Sequence, residues 1–450
     1  MLRGHRVTLA TRSGRARPGM HGMALDLTAL PGDAELQDAL ARVDMVVNTV
    51  GIFVAAGQQS FDAVHVNGPR RVFEAARRAG STRWIQLSAL GADATSPVPY
   101  FASKGRMDAV LLAADDTQVA VVRPSLVFAP EGTSTRLFAQ LASLPVTPLP
   151  RGGRQEVQPL HLDDLVDALV RLVEAKDVPR VLDAVGPRAL PLRDYLQVFK
   201  RAAGIGNVFM ALPMAPMRWM AALAPRLHLP FDADAIAMLD AGSTAGPHGF
   251  RHWLGRPARE PETFIGSRAA GPLRHQAVLA WCVPLMRFAL ALMWLATAVV
   301  SLWIYPREDS LALVAQLGLH GTVAIAALWA GALCDLALGL GILWRPTRTL
   351  AYALQIALVA GYTVIISLWL PEQWAHPFGP VLKNLPLLAM TLALLMLDRT
   401  HGPDPRQVHP RTLVDAAVRY RHRHGVLPAL RQPHPRRARD RGGRALGGDC

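Results

Sequence analysis

The feature that most constrains the fold is a series of long uncharged segments in the last third of the chain. Between residues 288 and 397, four segments contain no Asp, Glu, Lys or Arg. A helix needs about 20 apolar residues to cross the hydrocarbon core of a bilayer. Buried helices of a large soluble core are the alternative, but that fold would need four consecutive over-long apolar helices. We therefore predict four membrane-spanning helices, near 283–305, 320–343, 349–371 and 379–397.

The loops between these segments predict the orientation in the membrane. The connection at 344–348 (WRPTR) carries two arginines, whereas those at 306–309 and 372–378 are neutral to acidic. Positively charged loops stay on the cytoplasmic side. We therefore expect a multi-pass protein of the inner (cytoplasmic) membrane, with both termini in the cytoplasm and membrane lipid as a partner.

The end of the chain is its most basic part. Residues 398–450 contain twelve arginines and five acidic residues, so they supply +7 of the formal net charge of +14. We predict that residues 399–450 form a disordered tail attracted to anionic lipid headgroups. No nucleic-acid-binding motif accompanies the arginines, and we expect no specific nucleic-acid partner.

Three charged residues fall inside the predicted spans, where a charge is costly: Arg287, Asp335 and Lys383. Lys383 is in the first turn of its helix, and we expect its side chain to extend outward to the interface. Arg287 and Asp335 belong to helices that run in opposite directions, which places both residues in the same leaflet. They could pair within the bundle. That pair could fix the helix register, or it could take part in proton or quinone chemistry, and the sequence leaves both open.

Upstream of the membrane segments, predicted strands alternate with helical segments. The strands are expected at 5–11, 44–50, 84–87 and 119–123. Such alternation indicates an α/β fold, a doubly wound parallel sheet with helices on both faces. Ligands of these sheets lie beyond the carboxyl ends of the strands.

The whole chain is expected to combine this α/β unit with an all-α four-helix transmembrane bundle. Within 191–275, the apolar segment 216–231 is predicted to pack against the sheet, with substrate contact as the alternative. The predicted domains are 1–190 for the sheet, 191–275 for a substrate lobe, 276–398 for the bundle and 399–450 for the tail.

One motif carries recognisable chemistry, YFASK at 100–104. A spacing of four places Tyr100 and Lys104 on one side of a helix. A nearby ammonium favours phenolate, so we expect Lys104 to lower the pKa of Tyr100 and make the phenol an acid/base group. Ser88 ends the preceding strand and could bind the same substrate oxygen. A surface Tyr/Lys pair without function is the alternative.

At these motifs the chain resembles the short-chain dehydrogenase/reductase superfamily, in its extended and atypical branch of NAD-dependent epimerases and dehydratases. The group around the nucleotide-binding accessory subunit of respiratory complex I is the most similar. The resemblance implies a Rossmann-like, NAD(P)-binding domain. It rests on NTVGIF at 48–53, the helix at 61–80, LSALGAD at 87–93, YFASK at 100–104, VVRPSLVFAPEG at 121–132 and QPLHLDDL at 158–165.

The resemblance also implies roles for single residues. Tyr100 would be the acid/base, Lys104 would hold the nicotinamide ribose, and Ser88 would orient the substrate. The cofactor would be NAD or NADP, with Arg12 favouring the 2′-phosphate of NADP. The remaining implied cofactor contacts are Asp26 and Leu27 at the adenine, Asn48, Val50 and Gly51 along the cleft, and Pro124, Ser125, Leu126 and Val127 at the carboxamide.

Two further features concern the helical membrane region and the start of the chain. The helical region resembles the DoxX-like membrane family, which implies a possible quinone partner. The family's Gly-rich phosphate-binding turn has no counterpart upstream of His5. We expect either a true start upstream of Met1, which would restore the first strand, or a protein that does not bind a dinucleotide normally.

The cysteines argue against a metal or disulfide site. Cys282, Cys334 and Cys450 are at least 52 positions apart, so no CxxC pair exists and no metal ligand set is predicted. Two functions remain. The first is a membrane-anchored NAD(P)-dependent oxidoreductase that acts on a carbonyl or alcohol, with a lipid-soluble or quinone-related small-molecule substrate. The second is a non-catalytic NAD(P)H-binding assembly or stability factor for a membrane complex of respiration or quinone synthesis.

Overall fold

A computed structural model describes most of residues 5–400. The described ranges are 5–16, 19–55, 57–206, 208–213, 237–238, 242–315, 318–369, 371–375, 377, 379 and 381–400. The apolar segment 216–231 and nearly all of the predicted basic tail lie outside them.

The core of the first domain is a parallel sheet of four strands. Its order is β10-β5-β4-β3. A separate parallel pair, β1 and β2, precedes it, and within the described residues no strand joins the pair to β3. The strands are β1 Thr8–Thr11, β2 His21–Ala24, β3 Met45–Asn48, β4 Arg83–Leu87, β5 Gln118–Pro124 and β10 Val181–Ala184.

Helices cover both faces of this sheet, as the sequence predicts. Along β4, Trp84 belongs to an apolar cluster with α1, α2 and α3, while Ile85 belongs to a cluster with α5 and α7. Successive side chains of a strand point to opposite faces, so a strand covered twice is apolar throughout. The helices are α1 Asp33–Leu40, α2 Gly68–Arg78, α3 Pro99–Leu112, α4 Thr133–Ser143, α5 Leu162–Glu174, α6 Leu192–Ala203 and α7 Pro247–Leu254.

Short strand pairs and two helices form a second apolar core. Phe128, Phe138 and Phe199 pack there, against α4 and α6. The strands pair as β6 with β9, β7 with β12 and β8 with β11. Their bounds are β6 Val127–Phe128, β7 Thr147–Pro150, β8 Glu156–Val157, β9 Leu160–His161, β11 Leu190–Pro191 and β12 Phe209–Leu212.

The described part of the chain from Ser267 to Thr400 is largely helical. Three of its helical segments are long and apolar enough to cross a membrane, at Ser267–Ile304, Gly321–Leu343 and Arg348–Trp369. They match the first three predicted spans, and α12, at 17 residues, falls where the fourth is predicted. The helices are α8 Ser267–Val299, α9 Arg307–Ala315, α10 Gly321–Leu343, α11 Arg348–Trp369 and α12 Asn384–Thr400.

The first membrane helix also belongs to the soluble core. Ala277 of α8 is buried in the second apolar cluster, and Leu273 packs against it. One turn further, the Trp281 indole Nε1 donates to Oγ of Ser143 on α4 at 3.1 Å. Beyond this point α8 packs against α10 inside the bundle. A single helix therefore connects the sheet domain to the membrane domain without an intervening linker.

The predicted pairing of Arg287 with Asp335 is wrong. The Arg287 guanidinium forms an ion pair with Asp398, near the end of α12. Sequence reasoning assigned Asp398 to the boundary with the tail, although it lies at the same end of the bundle as Arg287. Asp335 is buried within α10.

Gly105 sets the packing of α3, and its replacement should be costly. A Cβ atom at Gly105 would lie 2.3 Å from the backbone nitrogen of Ala94, whereas one at helical Gly249 would meet nothing within 4 Å. We expect Gly105→Ala to lower the free energy of unfolding by about 1–3 kcal/mol or more, because backbone atoms cannot move aside. Gly249→Ala should stay within about 0.5 kcal/mol of the parent protein. Thermal unfolding in detergent checks this, and equal midpoints for the two variants would contradict it.

Candidate active site

The candidate site lies at the carboxyl edge of the sheet, where β3 and β4 end side by side. Asn48 ends β3, and its Nδ2 donates to Oε1 of Gln86 on β4 at 3.0 Å. Its Oδ1 accepts a hydrogen bond from the backbone N–H of Val50 at 3.1 Å. These two bonds fix the turn that leads from Asn48 to Gly51. The structure thus places the predicted cleft residues 48–51 beside the end of β4.

The Lys104 ammonium lies between two of these strand ends. It is buried, and its Nζ donates to the backbone oxygen of Leu87 at 3.1 Å and to that of Val50 at 3.3 Å. A Cβ atom on Gly51 would come within 3.2 Å of Nζ, so glycine lets the chain pass close to the ammonium. Burial lowers the pKa of Lys104 to about 8, while the charge of Asp108 acts in the opposite direction.

Tyr100 lies one helical turn before Lys104, in an aromatic pocket. Its ring stacks on Phe53 at a centroid distance of 5.3 Å and meets His65 and Phe101 edge-on at 5.6 Å. Phe61 completes the group at 6.3 Å. Burial raises the pKa of the Tyr100 phenol. The predicted lowering by Lys104 is therefore wrong for this conformation, because desolvation of the phenolate is the dominant effect.

His65 is a residue of this site that sequence reasoning missed. Its Nε2 accepts the backbone N–H of Ile52 at 2.9 Å, so the proton is on Nδ1, which donates to Oγ of Ser103 at 2.8 Å. Ser103 in turn donates to the backbone oxygen of Tyr100 at 2.8 Å. Burial and the Lys104 charge lower the pKa of His65 to about 3, which keeps the ring neutral.

The position of His65 depends on an unusual backbone. Residues Ala63–Asn67 form a π-helical turn immediately before α2. Such turns are rare, and they often occur at functional sites. An apolar pattern of period 3.6 does not reveal them, so the only signal in the sequence was a histidine in the middle of an apolar helix face.

Ser88 is engaged below the pocket. Its Oγ donates to Oδ2 of Asp108 at 2.9 Å, and Nε of Arg123 donates to the same oxygen at 3.0 Å. Burial raises the pKa of Asp108, and the bonds from Ser88 and Arg123 oppose that effect. Ser88 is thus close to the site but turned toward Asp108 in this conformation, and its role with substrate stays a prediction.

The residues predicted for the adenine end lie together. Oδ1 of Asp26 accepts hydrogen bonds from the backbone N–H and the hydroxyl of Thr28, at 2.9 and 2.7 Å. These bonds, aided by the charge of Arg12, lower the pKa of Asp26. Leu27 is in close contact with α2, since a Cβ on Gly68 would come within 2.6 Å of the Leu27 oxygen.

The segment from Pro124 to Val127 continues from β5 into β6. The backbone N–H of Ser125 donates to Ala184 at 3.0 Å, and the Leu126 oxygen accepts from Leu160 at 2.9 Å. The Ser125 hydroxyl donates to the backbone oxygen of Gln158. These polar groups are therefore used by neighbouring strands and loops, and a contact with a carboxamide stays a prediction.

The residues around Lys104 fit the nicotinamide half of a dinucleotide. A buried cation, a phenol on the same helix and a close backbone approach at Gly51 would form the hydroxyl-binding part of such a site. Among residues 5–55 that the structure describes, no Gly-rich turn joins a strand to a helix. In the described chain, no group of three or more His, Cys, Asp or Glu side chains could hold a metal ion.

Comparison with known families agrees with this geometry. Residues 1–184 match the NAD dependent epimerase/dehydratase family, and residues 291–392 match the DoxX-like family. The chain thus combines an epimerase/dehydratase-like region with a DoxX-like region. The apolar helices and the second match together indicate a membrane protein.

Curated relatives are similar over about a third of the chain. The NADH-ubiquinone oxidoreductase 40 kDa subunit of Neurospora crassa mitochondria is 25% identical over 167 residues, which are 37% of this chain and 44% of that protein. The ceramide reductase of Caulobacter vibrioides is 32% identical over 169 residues, 35% of this chain and 52% of its own. This chain spans about half the length of the curated relatives it matches.

Solved structures match this chain at low sequence identity. The structure of MoeE5 in complex with UDP-glucose and NAD is 18% identical, with a TM-score of 0.45. The match covers 62% of this chain and 92% of that one.

The depressed pKa of Lys104 predicts how cofactor affinity depends on pH. The charged ammonium is the form that binds ribose hydroxyls and phosphate charge most strongly, and it loses its proton as the pH rises through about 8. Affinity for NADH should therefore fall severalfold between about pH 7 and 9, a range in which NADH itself does not titrate. Equilibrium binding to the purified protein measures this.

A matched pair of lysine variants isolates the effect. Lys104→Met should bind NADH weakly, without the step near pH 8. Lys176→Met removes an exposed lysine and should keep the parent profile. An unchanged affinity of the parent protein from pH 7 to 9 would contradict the assignment.

Proposed function

We propose that the protein is a membrane-anchored, NAD(P)-dependent oxidoreductase of the short-chain dehydrogenase type. It interconverts a carbonyl and an alcohol on a lipid-soluble substrate. The observation that carries this proposal is the buried Tyr100/Lys104 pair at the carboxyl edge of a parallel sheet. The family match supports a dinucleotide cofactor, and the bundle supports a substrate that reaches the site from the membrane.

Tyr100 is the proton donor in the direction of reduction. Because burial raises the pKa of its phenol, Tyr100 is fully protonated at neutral pH and can protonate a carbonyl oxygen as negative charge develops there. The Lys104 ammonium, on the same helix, stabilises the phenolate that remains. The nicotinamide, when bound, supplies or accepts the hydride.

His65 and Ser103 are positioning residues in this scheme. The chain of bonds from Ile52 through His65 and Ser103 to the Tyr100 backbone holds the first turn of α3 against the loop after β3. Because the imidazole is neutral, it adds no second positive charge beside Lys104. A charged imidazole there would lower the pKa of the Lys104 ammonium further.

The surroundings of Tyr100 favour an apolar substrate. Phe61 and Phe101 exclude water from one side of the phenol, and Phe53 and Val54 are each 62% exposed on the loop that covers it. An apolar entrance of this kind suits a lipid carbonyl better than a sugar. The ceramide reductase of Caulobacter, whose name states a lipid substrate, supports the same class.

The cofactor preference and the membrane placement are finer parts of the proposal. Arg12 is exposed after β1 and close enough to Asp26 to lower the pKa of that carboxyl, so it can also meet a 2′-phosphate, which favours NADP. The basic loop at 344–348 supports an inner-membrane location with both termini in the cytoplasm. Anionic lipid is then a partner of the basic tail, and a quinone-related substrate remains within the proposed class.

A second candidate is a non-catalytic NAD(P)H-binding assembly or stability factor for a respiratory or quinone-synthesis complex. The similarity to the 40 kDa subunit of NADH-ubiquinone oxidoreductase favours it. In that function the nucleotide would stabilise the fold, and the acid/base capacity of Tyr100 would be unused.

The two functions predict different behaviour of Tyr100→Phe. Removing one catalytic proton donor should lower turnover by about 10²–10⁴-fold while NADH and NADPH affinities stay unchanged. The matched control is Tyr195→Phe, which removes the hydroxyl of another buried tyrosine in the second core and should keep full activity. The assay follows NADH and NADPH oxidation with long-chain ketolipids and with water-soluble ketones.

The outcomes separate the candidates. Oxidation of NADH or NADPH in the presence of ketolipids that is lost in Tyr100→Phe supports the oxidoreductase function. Nucleotide binding without turnover, together with a Tyr100→Phe protein that functions in cells, supports the assembly factor. Equal rates on lipid and water-soluble ketones would contradict the lipid substrate.

A further inference from the structure

One buried acid beside the candidate site has no part in the chemistry proposed for Tyr100. Asp108 is 1% exposed and belongs to α3, four residues after Lys104 and eight after Tyr100. Residues four apart lie one turn apart on the same face of a helix. Tyr100, Lys104 and Asp108 therefore follow one another along a single face of α3.

Lys104 and Asp108 bind consecutive residues at the end of β4. The Lys104 Nζ donates to the backbone oxygen of Leu87 at 3.1 Å, and Oγ of Ser88 donates to Oδ2 of Asp108 at 2.9 Å. The two side chains thus reach the same strand end from adjacent turns of one helix. In this arrangement the charge of Asp108 raises the pKa of Lys104, against the effect of burial.

The Asp108 carboxylate depends in turn on neighbouring cations. Nε of Arg123, on β5, donates to Oδ2 of Asp108 at 3.0 Å. The second carboxylate oxygen, Oδ1, is buried and has no hydrogen-bond partner among the residues that the structure describes. Since a buried oxygen without a hydrogen bond is costly, its charge is stabilised mainly by the nearby cations, Arg123 and Lys104.

The other groups that surround the Lys104 ammonium supply no negative charge. Burial and the Lys104 charge lower the pKa of His65 to about 3, so its ring is neutral. Burial raises the pKa of Tyr100, so the phenol keeps its proton. Arg123 is a cation, and the ends of β3 and β4 contribute only backbone oxygens. Among the described groups that act on Lys104, Asp108 is therefore the one that carries a negative charge.

We propose that Asp108 is a positioning residue of this site, whose charge keeps the Lys104 side chain protonated while it is buried. This role rests on the proposed function, because it matters only where the ammonium holds a nucleotide. A charged ammonium binds ribose hydroxyls more strongly than a neutral amine does. Asp108 thus extends nucleotide binding to higher pH without touching the nucleotide.

The titration of Lys104 itself tests the proposal without any ligand. The chain has only four lysines, Lys104, Lys176, Lys200 and Lys383. Labelling with carbon-13 at lysine Cε therefore gives few NMR signals from the full-length protein in detergent, and the Lys104 signal is the one lost in Lys104→Met. The chemical shift of this carbon follows the protonation of the amine.

Asp108→Asn should lower the pKa of Lys104 by about one unit or more, because it removes an opposite charge and keeps the size of the side chain. A merely structural role predicts the opposite sign. If the substitution only loosened the packing, water would reach Lys104 and its pKa would rise toward the ordinary value of about 10.4.

Two further variants complete the test. Asp115→Asn removes the charge of an acid whose side chain is 92% exposed, where it pairs with Arg180, and should leave the pKa of Lys104 at the parent value. Asp108→Ser removes the buried charge without placing an amide donor beside Arg123, and it should give the same shift as Asp108→Asn where that variant does not fold. An unchanged or raised pKa of Lys104 on loss of the Asp108 charge would overturn the proposal.

NADH binding and turnover separate this inference from the proposed reaction. In Asp108→Asn the fall in NADH affinity should move to lower pH, so that affinity near pH 8 is severalfold weaker than in the parent protein. A lowered pKa of Lys104 in a protein that turns over no ketone supports the role of Asp108 and contradicts the oxidoreductase. An unchanged pKa of Lys104 in an active Asp108→Asn enzyme contradicts the role of Asp108 alone.

Discussion

The organisation of the candidate active site depends on the burial of one ammonium group. Lys104 binds the backbone oxygens of Val50 and Leu87, which follow β3 and end β4, while its own backbone belongs to α3. Three elements that are far apart in sequence are therefore held together by one cation. Burial brings the pKa of Lys104 down to about 8, and burial of His65 together with the Lys104 charge lowers the pKa of that imidazole. Tyr100 lies one helical turn away on the same helix. Because Lys104 both connects these elements and carries the charge, we expect it to tolerate little substitution.

A second constraint is the continuity of α8. Its first turns complete the core around α4 and α6, and its remainder forms the wall of the bundle. α8 has 33 residues and is therefore about 50 Å long. Because a continuous helix is stiffer than a flexible linker, it restricts rotation of the sheet domain relative to the bundle. This arrangement ties the core around α4 and α6 to the bundle through one continuous helix.

Much of the architecture follows from sequence patterns. Parallel strands and membrane helices have strong periodic or compositional signals. YFASK at 100–104 could be assigned to a helix because residues 87–93 mark the end of the preceding strand. The errors concern groups whose state depends on burial. The pKa of Tyr100 rises because desolvation exceeds the effect of a neighbouring charge. Arg287 pairs with Asp398, which the direction of the helices alone could not predict, because it places Asp335 and Asp398 in the same leaflet as Arg287. His65 was missed because a π-helical turn has no sequence period of its own.

We propose that hydride moves between a nicotinamide and a lipid carbonyl at Tyr100. The most direct measurement supplies the membrane-embedded protein with NADH or NADPH that carries deuterium at both C4 positions, together with a lipid extract. Mass spectrometry then identifies lipids that gain one deuterium on carbon. The account predicts a deuterated hydroxylipid with the parent protein and none with Tyr100→Phe. Nucleotide that binds but retains all its deuterium in the presence of the full lipid extract would contradict it.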